Sequence, residues 1–144
     1  ATLYLSRNIE NITDEEFVEV ISDFINELNI SHLDSGYPIG GITKREHVMK
    51  GEFSNYSYLY IEQPHPKVGY PYFQAVKGDF LIGYHLGDEK TLHKTYKRLF
   101  SEMKRLNLAL ADYVFEEYIY DTVVMNQKEH YVTKIMIQVE QIES

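Results

Sequence analysis

Apolar residues recur at helical spacing in two segments of the chain. The first helix is predicted to begin at Thr13, because Thr13 and Glu16 form a Thr-x-x-Glu capping box ahead of an apolar face. That face repeats at spacings of three and four and comprises Phe17, Val20, Ile21, Phe24 and Leu28. The second helix is predicted from about 88 to 107, with an apolar stripe of Leu92, Tyr96, Leu99, Phe100, Met103 and Leu106.

Alternating, strand-like segments flank both helices. They cover residues 2–8, 37–45 and 53–62 around the first helix and 79–86, 113–120 and 131–139 around the second. The order strand, helix, strand, strand thus occurs twice, in half-modules of about 1–62 and 77–144 joined by a linker at 63–76 that contains proline and glycine. This pattern predicts an α+β fold with one largely antiparallel sheet, both helices on one face, and the other face open to line a groove.

Composition places the chain among ordinary globular proteins. Its 144 residues fit one domain over 1–144, and no apolar run is long enough for a membrane span. The net charge of -8 argues against direct nucleic acid binding, which depends on Lys and Arg. The absence of cysteine excludes disulfides and thiol chemistry, and without a secretory leader a cytoplasmic location is predicted. The oligomeric state is left open.

The strand-like segment 114–121 places carboxylates among aromatic residues, in a chain with 13 Tyr, 7 Phe and no Trp. A carboxylate buried in apolar surroundings costs several kcal/mol unless a positive group meets it. Aromatic faces attract cations by roughly 0.5–2 kcal/mol each. The combination therefore predicts a site for an organic cation.

Strand alternation separates the two glutamates of this segment. Glu116 and Tyr118 fall on one face, and Phe115, Glu117 and Ile119 fall on the other. We expect Phe115 and Ile119 to face the helices, which directs Glu116 to the open face and leaves Glu117 in need of a strand end, a bulge or a basic partner. The alternative is that both glutamates are solvated at a sheet edge.

The same alternation predicts that Tyr56, Tyr58 and Tyr60 share one face of their strand. Tyrosine is also a normal strand residue, with a buried ring and a wet hydroxyl, so most of the tyrosines are expected to be structural. The histidines lack His-Glu-x-x-His or comparable spacing, so no metal site is predicted. No phosphate loop, dinucleotide fingerprint or nucleophile elbow occurs, and no cofactor is predicted.

A set of residues in the second half resembles a known family. It consists of His85-x-Gly87, Leu92, Tyr96, Leu99, Phe115-Glu116-x-Tyr118 and Thr133-Lys134-Ile135-x-Ile137-x-Val139. This pattern, over about 79–140, is similar to the GyrI-like superfamily, the effector-binding domain of bacterial transcription activators, including the BmrR-type multidrug-binding domains. The resemblance implies two pseudo-symmetric strand-helix-strand-strand modules with a ligand cleft at their junction.

The resemblance also implies site residues. Glu116 occupies the position of a glutamate that meets lipophilic cations, and Tyr131 matches an aromatic ligand contact. Together with the strand pattern, these positions give the predicted ligand-binding set of Glu116, Tyr118, Tyr131, Tyr96, Tyr56, Tyr58 and Tyr60. The predicted partners are lipophilic cationic or aromatic small molecules, and the predicted roles are effector sensing or drug sequestration.

Two further functions remain open at this point. Some members of the superfamily hydrolyse cyclopropane-containing genotoxins, and Glu116 would then act as a general base that activates water. The superfamily's namesake inhibits DNA gyrase, and an acidic domain could occupy a basic protein surface. No acidic run stands out in this chain, so the interaction role ranks last.

Overall fold

One antiparallel sheet organises the part of the chain that the computed structural model describes, residues 2–64, 73–119 and 132–142. The elements in chain order are β1 (Thr2–Leu5), α1 (Asp14–Ile30), β2 (Gly40–Lys44), α2 (Arg45–Met49), β3 (Tyr58–Glu62), β4 (Phe73–Ala75), β5 (Asp79–Leu86), a 3-10 turn (Glu89–Thr91), α3 (Leu92–Arg105), β6 (Leu108–Ile119) and β7 (Val132–Gln141). The α+β fold class is thereby confirmed.

The order of the strands is β4-β1-β3-β2-β6-β7-β5. Apart from β4, which lies beyond β1 at one edge, each module contributes its first strand farthest out, its third next and its second at the middle. The two middle strands, β2 and β6, pair antiparallel with Gly41 opposite Glu116. A pseudo-twofold relation between the modules produces this order, which confirms the predicted repeat.

Both long helices pack on the same face of the sheet, as predicted. Helix α1 begins with the predicted capping box at Thr13 and Glu16. Its core contacts comprise Val20, Phe24 and Leu28 against Tyr4, Leu59 and Ile61. Those of α3 comprise Leu92, Tyr96 and Met103 against Val114, Ile135, Ile137 and Val139. No helix within the described residues is long and apolar enough to cross a membrane.

Several parts of the fold differ from the predicted elements. The predicted helix over 88–107 is a 3-10 turn at Glu89–Thr91 followed by α3 at Leu92–Arg105, and the predicted strands 2–8 and 53–62 are shorter in the structure. Helix α2 was not predicted, because a helix of five residues is too short to display apolar periodicity. Strand β4 pairs with β1 although it falls at the end of the predicted linker 63–76, of which residues 65–72 lie outside the described part of the chain. Strand β6 begins at Leu108 and contains an irregularity between Leu110 and Val114, a bulge-like feature that simple alternation does not reveal.

Candidate functional site

A cleft of about 760 Å³ lies between α1 and the start of α3, on the helix-covered side of the sheet. Its walls include Phe17 and Ile21 of α1, Gly41 of β2 and Tyr118 of β6. The cleft therefore lies at the module junction, as the fold prediction has it, but not on the face opposite the helices, where the strand pattern predicted a groove. That opposite face carries its own apolar cluster. Its volume is within the range of about 300–1,000 Å³ that is typical of small-molecule sites.

A short turn between β5 and α3 supplies the second wall of the cleft. His85 fixes this turn, because its Nδ1 lies 2.6 Å from Oγ1 of Thr95 and its Nε2 lies 2.8 Å from the carbonyl oxygen of Asp88. Gly87 adopts a φ of 113°, a conformation that other residues rarely take. The exposed carboxylate of Glu89 is thereby placed at the edge of the cleft.

Glu116 carries a completely buried carboxylate beneath this cleft. Its Oε1 accepts hydrogen bonds from the hydroxyls of Ser54 at 2.7 Å and Tyr56 at 2.6 Å, and its Oε2 accepts one from Tyr96. Within residues 2–64, 73–119 and 132–142, no Lys, Arg or His forms an ion pair with Glu116. Neutral hydroxyl groups, with no opposite charge, therefore solvate this carboxylate.

Two tyrosines connect the carboxylate to the cleft. The hydroxyl of Tyr56 lies 2.8 Å from that of Tyr118, and both side chains line the cleft. An adjoining cavity of about 330 Å³ is lined by these tyrosines and also by Ser54 and Phe17. Both donors to Oε1 of Glu116 therefore border open space, and a ligand approaching that oxygen meets Tyr56 and Ser54 first.

Burial keeps the two main donors protonated. Desolvation, followed by the charge of Glu116, raises the pKa of Tyr56 and of Tyr96 well above the ordinary tyrosine value. Tyr96 is also stacked on Phe53, with ring centroids 4.2 Å apart and the rings nearly parallel. Tyr96 does not line the cleft; it supports Glu116 from the side of α3.

The glycines of β2 make room for this arrangement. A Cβ atom on Gly41 would lie 2.5 Å from the ring of Tyr56, and one on Gly40 would lie 2.6 Å from the backbone oxygen of Glu116. Such separations are far below van der Waals contact, so only glycine allows Tyr56 to lie against the strand. Strand β2 of the first module thus sets the position of Tyr56, which donates to Glu116 on β6 of the second module.

The predicted orientation of β6 is wrong. Glu116 points toward the helices, while Phe115 packs on the opposite face with Leu3, Leu5, Ile42 and Tyr60. This second face carries its own apolar cluster, in which Phe115 meets the ring of Tyr60 edge-on at 5.6 Å. Ile119 is 43% exposed at the end of the strand. Because both faces of the sheet are apolar, a large aromatic residue does not identify the helix-covered face.

The predicted shared face of the three tyrosines before and within β3 is also wrong. Tyr56 precedes the strand and packs on the helix side, whereas Tyr58 and Tyr60 belong to the opposite face. Tyr60 donates a hydrogen bond of 2.9 Å to Glu117, which gives this half-buried glutamate a hydroxyl partner in place of the basic one considered from the sequence. Burial and the charge of Glu117 raise the pKa of Tyr60.

Four of the predicted site residues are therefore brought together: Glu116, Tyr56, Tyr96 and Tyr118. Tyr58 and Tyr60 lie on the other face, where Tyr60 lines a separate cavity of about 310 Å³. Tyr131 lies outside the described residues. Sequence reasoning missed Ser54, because no sequence motif indicates its left-handed backbone conformation (φ 64°). The Gly40-Gly41 pair is a signal that another part of the chain lies close to this strand.

Comparison with known proteins finds a curated relative that aligns with nearly the whole chain. The chain is 33% identical over 141 residues to the multidrug-efflux transporter 2 regulator of Bacillus subtilis (strain 168). The aligned region is 98% of this chain and 51% of that regulator, so the chain spans about half the length of the curated relative it matches. No family model and no solved structure matches the chain. The chain is thus similar, over nearly all its residues, to part of a regulator concerned with multidrug efflux.

Proposed function

We propose that this chain binds lipophilic, aromatic, cationic small molecules in the junction cleft, with Glu116 as the counter-ion. The observation that carries the proposal is the buried carboxylate of Glu116, which meets no opposite charge among the described residues. Burying an ion costs several kcal/mol, and hydroxyl donors offset only part of that cost. A cation that settles near Glu116 supplies the missing charge, and this provides binding energy that a neutral molecule of the same shape lacks.

Aromatic rings supply the second part of the proposed site. Phe17 and Tyr56 lie with ring centroids 6.3 Å apart at the edge of the cleft, and Tyr118 adjoins them. Such faces attract an organic cation by roughly 0.5–2 kcal/mol each and accommodate flat ligands without directional bonds. The lining suits ligands that differ in shape but share an aromatic body and a positive charge.

The relative supports the same function. Its name ties it to the regulation of a multidrug-efflux transporter, and the aligned region covers the chain described here. We propose that this chain is a GyrI-like effector-binding domain and that drug binding in its cleft is the sensed signal. Sequestration of the drug is an alternative use of the same cleft.

Hydrolysis is a less well-supported use of Glu116. A carboxylate has about four lone-pair positions, and three of those on Glu116 accept hydroxyl hydrogen bonds. A general base needs a free position directed at the attacking water. Only one position is left for a water, whereas a counter-ion acts through its charge and needs no free position, so the arrangement favours a counter-ion over a base. Mass spectrometry of a bound ligand after long incubation should show an unchanged mass.

The test is a fluorescence titration with rhodamine 6G and, by competition, tetraphenylphosphonium. Replacing Glu116 by Gln should weaken binding of both cations at least tenfold, because the amide keeps the shape and removes the charge. Glu117→Gln is a matched control, since Glu117 lies one residue along and faces the opposite side of the sheet. Neutral triphenylphosphine oxide should bind both variants alike. Equal affinity of the wild type and Glu116→Gln for the cations would refute the counter-ion role.

A further inference from the structure

A second group of ionisable residues lies away from the cleft, where the loop after β1 meets α2. Glu10, Glu46 and His47 each direct one possible ligand atom into a region where these atoms lie within 4.8 Å of one another. Glu46 is exposed, Glu10 is partly buried, and His47 is 8% exposed. The sequence predicted no metal site because Glu10 is remote in the chain from the other two and no spacing rule joins them.

Hydrogen bonding fixes the tautomer of His47. Its Nδ1 lies 3.0 Å from Oε2 of Glu52, and an ionised carboxylate can only accept. Nδ1 also lies 3.2 Å from the amide nitrogen of Asn55, but the carboxylate at the shorter distance requires a donor, so Nδ1 carries a proton that it donates to Glu52. The amide of Asn55 donates a hydrogen bond of 3.2 Å to the same carboxylate oxygen and holds it in place. When the ring is neutral, Nε2 then carries a lone pair and can only accept.

This lone pair has no hydrogen-bond partner. Nε2 of His47 is buried and unpaired within the described residues, and the nearest charged atom is Oε2 of Glu10, at 3.8 Å. A carboxylate oxygen is itself an acceptor, so the two atoms repel unless a positive species lies between them. A positive charge nearby is the ammonium of Lys44, which lies 2.8 Å from the other oxygen of Glu10.

We propose that His47, Glu10 and Glu46 bind a divalent transition-metal ion of the Zn²⁺ type. One imidazole and two carboxylates are a ligand set that suits zinc and its neighbours, and solvent beside exposed Glu46 completes a four-coordinate site. Glu52 orients the imidazole through Nδ1, the arrangement that metal-bound histidines commonly show. Ligand atoms around zinc lie roughly 3.3–3.5 Å apart, so rotation of the Glu46 side chain closes the site.

The metal would join two segments that border the drug-binding region. Glu10 belongs to the loop that continues into Ile12 and Thr13, both of which line the cavity adjoining the cleft. Asn55, whose amide donates to Glu52, lines the same cavity and directly follows Ser54. Binding of the ion would therefore restrain the backbone that carries a donor to Glu116.

The experiment uses tag-free protein stripped with EDTA. Calorimetric titration with ZnCl₂ should give one equivalent of saturable binding, and Co²⁺ should give the visible absorption of a four-coordinate ion. Zn²⁺ at a hundred times its dissociation constant should raise Tm by roughly 5–10 °C, because the folded state alone forms the site.

Variants separate this site from adventitious binding. His47→Ala and Glu46→Gln should each weaken Zn²⁺ binding at least tenfold, and Glu46 is exposed, so its variant keeps the fold. His93→Ala, which removes an exposed histidine on α3, should bind Zn²⁺ like the wild type. Lys44→Met should tighten binding several-fold, because it removes the ammonium that competes for Glu10.

Three results would overturn the proposal. The first is no saturable binding at one equivalent. The second is equal Zn²⁺ affinity in the wild type, His47→Ala and Glu46→Gln. The third is weaker Zn²⁺ binding in a folded Lys44→Met variant.

Discussion

Glu116 carries a buried carboxylate that forms no salt bridge within the described part of the chain. Ser54 and Tyr56 donate to one carboxylate oxygen and Tyr96 to the other, and none of the three can neutralise the charge. Hydrogen bonds to charged groups are worth about 1.5–3 kcal/mol, so the three donors offset only part of the cost of burying the carboxylate. The proposed cation would supply the opposite charge that these hydroxyls lack.

Removing the hydroxyl of Tyr96, which donates to Oε2 of Glu116, should lower the stability of the fold. Tyr96→Phe should lower the free energy of unfolding by about 1–3 kcal/mol, since the buried oxygen loses its partner while the ring stays stacked on Phe53. Urea denaturation at pH 7 measures the change. Tyr84→Phe is the control, because Tyr84 is 55% exposed, and it should stay within about 0.5 kcal/mol of the wild type. A similar loss in both variants would contradict the role of Tyr96.

Glu10 should make the stability depend on pH below neutrality. A hydrogen bond from Lys44, aided by one from Ser57, lowers the pKa of Glu10 from 4.5 to about 2. The folded state therefore favours the ionised form; this stabilisation is present above pH 4.5 and is lost as the pH falls to about 2. In EDTA, Glu10→Gln should be less stable than the wild type at pH 7 by about 1 kcal/mol, a figure reduced by solvent screening.

The check on Glu10 is the difference in the free energy of unfolding between wild type and Glu10→Gln across the acid range. That difference should shrink steadily from pH 4.5 to pH 2. Glu19→Gln, an exposed change on α1, should show no such convergence. A difference that stays constant with pH would mean that the ion pair with Lys44 adds nothing to folding.

At the residue scale the sequence placed Glu116 and Glu117 on opposite faces of β6 but assigned those faces the wrong way round. The Phe115-Glu116-x-Tyr118 pattern singled out the glutamate, and alternation correctly separated it from Glu117. Alternation could not say which side faced the helices, because both faces of β6 contact apolar clusters. The position of Tyr56 depends on a loop before β3, and loops follow no period.

At the scale of elements, predictions succeeded where a pattern was long and uninterrupted. Strand β5 has the predicted bounds of 79 and 86, and α1 begins after the predicted cap. The short elements α2 and β4 were missed because they derive their stability from neighbouring strands and loops. Tertiary contacts decide whether such short segments form a helix or a strand, and these contacts leave no local pattern in a single sequence.

The middle strand β2 offers a sharp test at this scale. Gly41→Ala should lower the free energy of unfolding by about 1–3 kcal/mol and weaken cation binding, because its methyl group displaces the Tyr56 ring that bonds Glu116. Gly83→Ala is the matched control, since its methyl group meets only the flexible end of Leu99 in the other module. Urea denaturation and dye titration measure both effects. Unchanged binding in Gly41→Ala would remove Tyr56 from the proposed site.

At the scale of the whole molecule, the pseudo-twofold arrangement concentrates two kinds of negative charge on one cleft. Glu116 lies buried beneath the junction, while Asp88 and Glu89 lie at its exposed edge in a chain with a net charge of -8. Dissolved salt weakens the attraction between an exposed charge and an approaching cation, whereas the attraction of a buried charge for a bound cation is weakened much less. The exposed acids should therefore set the rate of cation capture, and the buried one the lifetime of the complex.

Stopped-flow binding of rhodamine 6G at two salt concentrations distinguishes these roles. Raising NaCl from about 20 to 500 mM should lower the association rate constant roughly three- to tenfold and leave the dissociation rate constant within about twofold. Glu89→Gln should lower the association rate at low salt only, whereas Glu116→Gln should raise the dissociation rate at both concentrations. If salt acted mainly on dissociation, the charge that retains the cation would have to be an exposed one, and Glu89 would replace Glu116 as the counter-ion.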